Sequence, residues 1–186
     1  NAYRENNALK RVATALLQYN IAVNEYYGIQ SDLVLPEDLP VMPEVTPEDS
    51  FNMTEFEGNP ITGATLNITD KINIVVYVET DKNISGWRMW VDDNAAFTTP
   101  KKCKLVKIDE RFGGGYYVTV EVNLSDYQDE FYFKIVDALG EEQSGVLTYS
   151  VESYVARKIE QDPDNEKLIA LLKSMLVLCK TAKDLR

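Results

Sequence analysis

Residues 81–92, DKNISGWRMWVD, hold the densest set of groups in the chain that could do chemistry. Side-chain oxygens at Asp81, Asn83 and Ser85, a glycine at position 86 and a carboxylate at Asp92 follow the spacing of a calcium loop, with Trp87 offering its carbonyl. Three features oppose calcium. Asp92 is shorter than the bidentate glutamate such loops use, Arg88 brings a positive charge near the ion, and the preceding INIVVYVET alternates like a strand. Asp, Asn, Ser and Gly are also the residues of a plain turn between strands. A turn is therefore expected, with calcium as the alternative and the one cofactor in view.

The same stretch carries both tryptophans, and an exposed aromatic ring can stack on a sugar. Trp87 and Trp90 lie three apart, so a strand turns them to opposite faces and exposes one at most. Tyr117 and Tyr132, outward members of their own strands, are the candidates to join it, with Asp92, Asp93 and Glu121 as acceptors for sugar hydroxyls. The competing account buries these rings, as large aromatics usually are.

The other candidates are weaker. RFGGGYY (111–117) has three consecutive glycines but leads into a strand pattern, whereas a phosphate loop feeds a helix, so a hairpin is expected. Asp162, Asp164 and Glu166 alternate like calcium ligands, yet Lys167 stands where that loop needs glycine. Capping of a helix by Asp162, with Pro163 at its first position, explains them. The paired acids Asp92–Asp93 and Glu141–Glu142 would serve a carboxylate-based hydrolase only if both faced one cleft. Neighbours on a strand face opposite ways.

Composition narrows the classes. The chain of 186 residues has no histidine, which removes the usual general base near neutral pH and the commonest metal ligand. Cys103 and Cys179 form no ligand pair and are expected as small buried hydrophobes. The 30 acidic against 19 basic residues give a net charge of −11, which argues against nucleic acid as a partner. No apolar run is long enough to span a membrane.

The elements that must position these groups fall into regions. Residues 1–28 read as a helix with the stripe Leu9, Val12, Leu16, Tyr19, Val23 and Tyr26, widened by Ala8, Ala13, Ala15 and Ala22 and ended by Gly28. Residues 29–60 hold five prolines and many acids and read as an extended connector without regular structure. Residues 61–149 alternate in six or seven segments. Ile72, Ile74, Val76 and Val78 share one face, as do Tyr116, Val118, Val120 and Val122, and Phe131, Phe133 and Ile135. Residues 150–186 return to helical spacing, with Val151, Val155 and Ile159 and then Leu168, Leu171, Leu172, Met175 and Leu176. The expected fold is mainly β: an immunoglobulin-like antiparallel sandwich capped by N- and C-terminal helices.

The two ends repeat. An offset of 159 positions aligns Leu9 with Leu168, Val12 with Leu171, Leu16 with Met175, Leu17 with Leu176 and Tyr26 with Leu185. The run GVLTYSVESYVARKIEQDPDNEKLIALLKSMLVLCKTA resembles a strand–helix–helix ending in repeat modules of secreted and wall-associated proteins of anaerobic Gram-positive gut bacteria. TLNITDKINIVVYVET and YYVTVEVNLSDYQDEFYFKIVDALGEEQ resemble the strands of that module, and ALLQYNIAVNEYYG its final helix. The resemblance implies an extracellular or cell-wall setting, neighbouring modules of the same polypeptide as partners, and no catalytic residue. The expectation is a non-catalytic structural or adhesive module, with a glycan or a host or cell-surface protein as a further partner. The alternatives are a carbohydrate-binding module using the exposed aromatics and a carboxylate-based hydrolase.

Overall fold

Strict alternation of β-branched and polar residues makes residues 61–149 a strand region, and the computed structural model pairs them into two antiparallel sheets. It describes residues 2–37, 39, 40, 42, 44–68 and 71–184. The strands are β1 (Asn52–Met53), β2 (Ile61–Ile68), β3 (Ile72–Val78), β4 (Arg88–Asp92), β5 (Lys101–Lys104), β6 (Val106–Lys107), β7 (Tyr116–Val122), β8 (Phe131–Val136) and β9 (Leu147–Tyr149). One sheet runs β1-β9-β8-β4-β5 and the other β2-β3-β7-β6. Three helices complete the chain: α1 (Ala2–Tyr27), α2 (Val151–Gln161) and α3 (Glu166–Lys183).

The chain divides into two compact units. One comprises Ser50–Val122 and Gln128–Tyr154; the other comprises Asn1–Asp49, Asn123–Tyr127 and Val155–Arg186. In the strand unit the inward residues Ile74, Val76, Met89, Phe133, Ile135 and Leu147 are fully buried. The Tyr149 hydroxyl donates to the Ala64 carbonyl at 3.3 Å, bonding one sheet to the other. The segment expected to be irregular contributes β1, whose Asn52 and Met53 pair with Thr148 and Leu147. Two residues carry no alternation that a sequence can reveal.

The YSVESY segment is a folding device. Ser150 Oγ accepts from the Ser153 backbone N–H at 3.0 Å, the bond that caps a helix start. Ser153 Oγ in turn meets Ser50 Oγ at 2.9 Å and accepts from the Ser50 N–H at 3.1 Å. Ser153 is wholly buried, so these bonds satisfy a hydroxyl that would otherwise be costly inside the protein.

In the helical unit α1 packs against α3. The expected stripe of α1 is buried only at small members. Thr14, Ala15 and Ala22 are buried, while Leu9, Leu16 and Tyr26 are 60%, 48% and 36% exposed. Small side chains let helix backbones approach closely, and that contact decides which face turns inward. The aligned positions therefore have unlike surroundings: Met175 and Leu176 are buried, whereas their counterparts Leu16 and Leu17 are exposed and half-buried. Leu185, the counterpart of Tyr26, lies outside the described residues. The expected cap Asp162 is also displaced. Asn165 caps α3 by accepting from the Leu168 N–H at 3.1 Å, and Asp162 accepts from the Asn165 side chain at 2.9 Å.

Both cysteines are free. Burial pushes the Cys179 thiol up to about 12, so it remains a protonated, inert hydrophobe. Among the described residues no helix is long and apolar enough to cross a membrane.

Candidate functional site

The outward residues of the four-stranded sheet build an open concavity. On β3 the inward set Ile72, Ile74, Val76 and Val78 leaves Val75 and Tyr77 pointing out, and on β7 the inward Val118 and Val120 leave Tyr117 and Thr119. The register sets Tyr77 directly opposite Tyr117, and Val75 between Thr65 and Thr119. Directly opposed residues hold their Cβ atoms roughly 4.5–5.5 Å apart, so the two phenol side chains stand next to each other. On its other side Tyr77 faces Gly63, which adds no side chain, and Tyr77 is 40% exposed.

The turn before β7 supplies the third ring. Asp109 Oδ1 accepts from the Arg111 N–H at 2.9 Å and starts a single 3-10 turn. Phe112 closes that turn at the rim, 79% exposed. Gly115 then brings the chain against β3, where a Cβ would stand 2.9 Å from the Val78 carbonyl oxygen. The glycine run is thus a tight entry to a strand.

Thr65, Asn67, Ile68, Val75, Tyr77, Ile108, Phe112, Tyr117 and Thr119 surround an open trough of about 760 Å³. Ligand sites commonly fall at about 300–1,000 Å³. Among the described residues no ionised side chain lines it. The charges bordering it are paired: Lys71 with Glu121 at 2.7 Å, Lys107 with Glu110 at 3.3 Å and Arg111 with Asp109 at 2.7 Å. Hydrogen bonds from Arg111 hold the Asp109 carboxyl below its ordinary range. The trough is apolar and aromatic, with hydroxyl and amide groups and no net charge.

The four aromatics singled out in the sequence do not share a surface. Tyr117 lies in this trough, whereas Trp90 and Tyr132 sit on the outer face of the five-stranded sheet. Trp87 is buried, and its backbone N–H donates to the Ile84 carbonyl at 2.9 Å. Alternation told inward from outward but not which sheet a strand joins. Trp90 is already engaged. Lys102 and Lys134, its partners on the two flanking strands, place ammoniums 4.7 and 5.6 Å from the ring centroid. Lys134 also stands 4.3 Å from the Phe97 ring centroid and 2.6 Å from Glu142. These cation–π contacts occupy the indole with the chain's own side chains. The Tyr132 phenol donates to Glu130 at 2.6 Å, which raises its pKa.

The calcium set is likewise taken up by the backbone. Asn83 Oδ1 accepts from the Ser85 N–H at 2.9 Å, the local bond of a turn. Asp81, Asn83 and Ser85 are exposed. Asp92 accepts from the N–H groups of Asn94 at 3.2 Å and Thr99 at 3.0 Å, so its carboxylate organises the following loop. Among the described residues no three His, Cys, Asp or Glu side chains are placed to hold a metal. Asp92→Ala is expected to cost about 1–3 kcal/mol by removing two part-buried hydrogen bonds to a carboxylate. Denaturation with calcium and with EDTA should give the same loss; a loss that appears only with calcium would restore the ion-binding reading.

Tyr77 and Phe112 escaped the sequence reading of the site. Tyr77 carried a signal, as the outward neighbour of Val76 on a strand. Phe112 stood in a loop, where no periodicity marks exposure. Comparison with family models, with curated proteins and with solved structures finds no match for this chain.

Proposed function

We propose that the chain is a non-catalytic structural and adhesive module of a larger extracellular surface protein, and that it adheres through the outer face of its four-stranded sheet. The observation that carries this reading is that Tyr77, Tyr117 and Phe112 share one open trough whose described lining has hydroxyl and amide groups but no carboxylate, lysine or arginine. Such a lining holds a surface; it offers no acid and base pair for turnover. The ladder fixes two of the rings, because Tyr77 and Tyr117 sit mid-sheet with partners on both sides. Rings held in place lose little freedom on binding.

Strand order supports an immunoglobulin-like reading of the sandwich. If β2 to β9 are taken as strands A, B, C, C′, D, E, F and G, the sheets become A-B-E-D and C′-C-F-G, with β1 added beside G. The extracellular setting and the neighbouring modules come from the sequence resemblance and belong to the same proposal.

Beads carrying the chain, passed over mucin-coated, plant-wall and protein-coated surfaces, test the function. Retention on at least one surface is expected, with the surface material recovered uncleaved. A Tyr77→Ala/Phe112→Ala chain should be retained about 10- to 30-fold less, as for the loss of a binding hot spot. Release of shortened fragments, or equal retention of the variant, would contradict the proposal.

A further inference from the structure

We infer that the trough takes a neutral saccharide chain, an inference that rests on reading this face as the adhesive surface. Four features of the trough select that ligand class over other partners.

The first is ring placement. Tyr77 and Tyr117 are cross-strand neighbours, and Phe112 stands at the rim of the same trough. Aromatic faces attract the C–H faces of a pyranose as they attract other apolar, weakly positive surfaces. The second is the polar complement. Thr65, Asn67 and Thr119 share the lining with the rings, and among the described residues their side chains take part in no internal hydrogen bond. Hydroxyl and amide groups both donate and accept, which suits sugar hydroxyls.

The third feature is charge. Among the described residues, Lys71, Lys107 and Arg111 at its border are each paired with a carboxylate and no ion lines the trough. A chain of net charge −11 repels uronates, sulfated glycans and acidic peptides alike, and the trough offers no cation to offset that repulsion. The fourth is the position of the backbone. A peptide binding a sheet draws affinity from unpaired N–H and C=O groups at an edge strand. Here β3 is bonded on one side to β2 and on the other to β7, so its backbone is already used. A peptide laid across this face would bury amides without partners, at a cost that a saccharide, with hydroxyls directed to Thr65, Asn67 and Thr119, avoids.

The length of the face sets the ligand size. From the row of Tyr77 to that of Asn67 the trough spans four residues of β2, about 13 Å at the rise of a strand. That is room for a few sugar rings of an unbranched chain.

Affinity electrophoresis through gels containing mixed-linkage β-glucan, an α-glucan, a mannan, a xylan, polygalacturonate or polyglutamate tests the inference. The wild-type chain is compared with Phe112→Ala, Tyr117→Ala and Trp90→Ala. At least one neutral polymer should retard the wild type equally in low and raised salt, because no charge is involved. Phe112→Ala, a change at an exposed side chain, and Tyr117→Ala should each weaken retardation about tenfold, and Trp90→Ala should leave it unchanged. Retardation only by polygalacturonate or polyglutamate, no retardation by any neutral polymer, or equal retardation of Phe112→Ala and wild type would each overturn it. Bead retention that depends on Tyr77 and Phe112 but meets no neutral polymer would sink the ligand class while leaving the adhesive function standing.

Discussion

A Phe133→Ala chain is expected to lose about 3–5 kcal/mol of folding free energy, the usual cost of truncating a buried phenylalanine. Phe133 is fully buried at the centre of the five-stranded sheet, registered with Val91 on β4 and Leu147 on β9. Both partners are buried too, so neither can swing outward to fill the void. The cost is the lost transfer of the ring plus a cavity between side chains held by their ladders on both sides. Trp87 and Trp90 both lie in the strand unit, so tryptophan fluorescence during denaturation follows that unit selectively. The midpoint should fall sharply, and an unchanged midpoint would mean that the sheet is not packed as described.

The second large effect is expected at Gly145. A Cβ on this residue would fall inside the van der Waals shell of the Thr54 carbonyl oxygen and meet Thr54 Oγ1 at 3.0 Å. Backbone, not a movable side-chain tip, blocks the space. The close approach serves two bonds, Thr54 N–H to the Val146 carbonyl at 3.0 Å and Val146 N–H to Thr54 Oγ1 at 2.7 Å. Gly145→Ala must push β1 off β9 and lose them, at about 2–4 kcal/mol from strain and unpaired groups. Amide exchange is the discriminating readout. The N–H groups of Thr54 and Val146 should exchange much faster in the variant, while those of β3 and β7, in the other sheet, remain protected.

How much of this was legible depended on how local its cause was. The strands showed in the sequence because alternation is a property of one segment: Ile72, Ile74, Val76 and Val78 are all buried as their spacing requires. β1 did not show, since Asn52–Met53 becomes a strand only by pairing with residues more than ninety positions away. The face of α1 was legible in part: Ala15 and Ala22 of its apolar stripe are buried, whereas the larger Leu9 and Leu16 stay exposed because packing on α3 favours small side chains. The candidate site was half visible. Tyr117 was marked as outward, but the division of Trp90 and Tyr132 onto one sheet and Tyr117 onto the other is set by strand order. The engagement of Trp90 by two lysines likewise depends on register across three strands. Oxygen spacing in residues 81–92 fits a turn and a calcium loop alike, because both draw on the same short polar residues.

The trough could not be inferred from any single motif. It needs the cross-strand placement of Tyr77 and Tyr117, the missing side chain at Gly63, and a 3-10 turn that delivers Phe112. Each is ordinary alone. Together they give an aromatic face whose described lining carries no charge, in an acidic chain.

Amide and tyrosine-ring chemical shifts, recorded while the neutral polymer that most retards the chain is added as oligosaccharides, test the central claim most directly. The perturbed residues should cluster at Thr65, Tyr77, Phe112, Tyr117 and Thr119, with Trp90, Lys102 and Lys134 unmoved. Shifts gathered around Trp90 and Lys102, or spread without a centre, would contradict it.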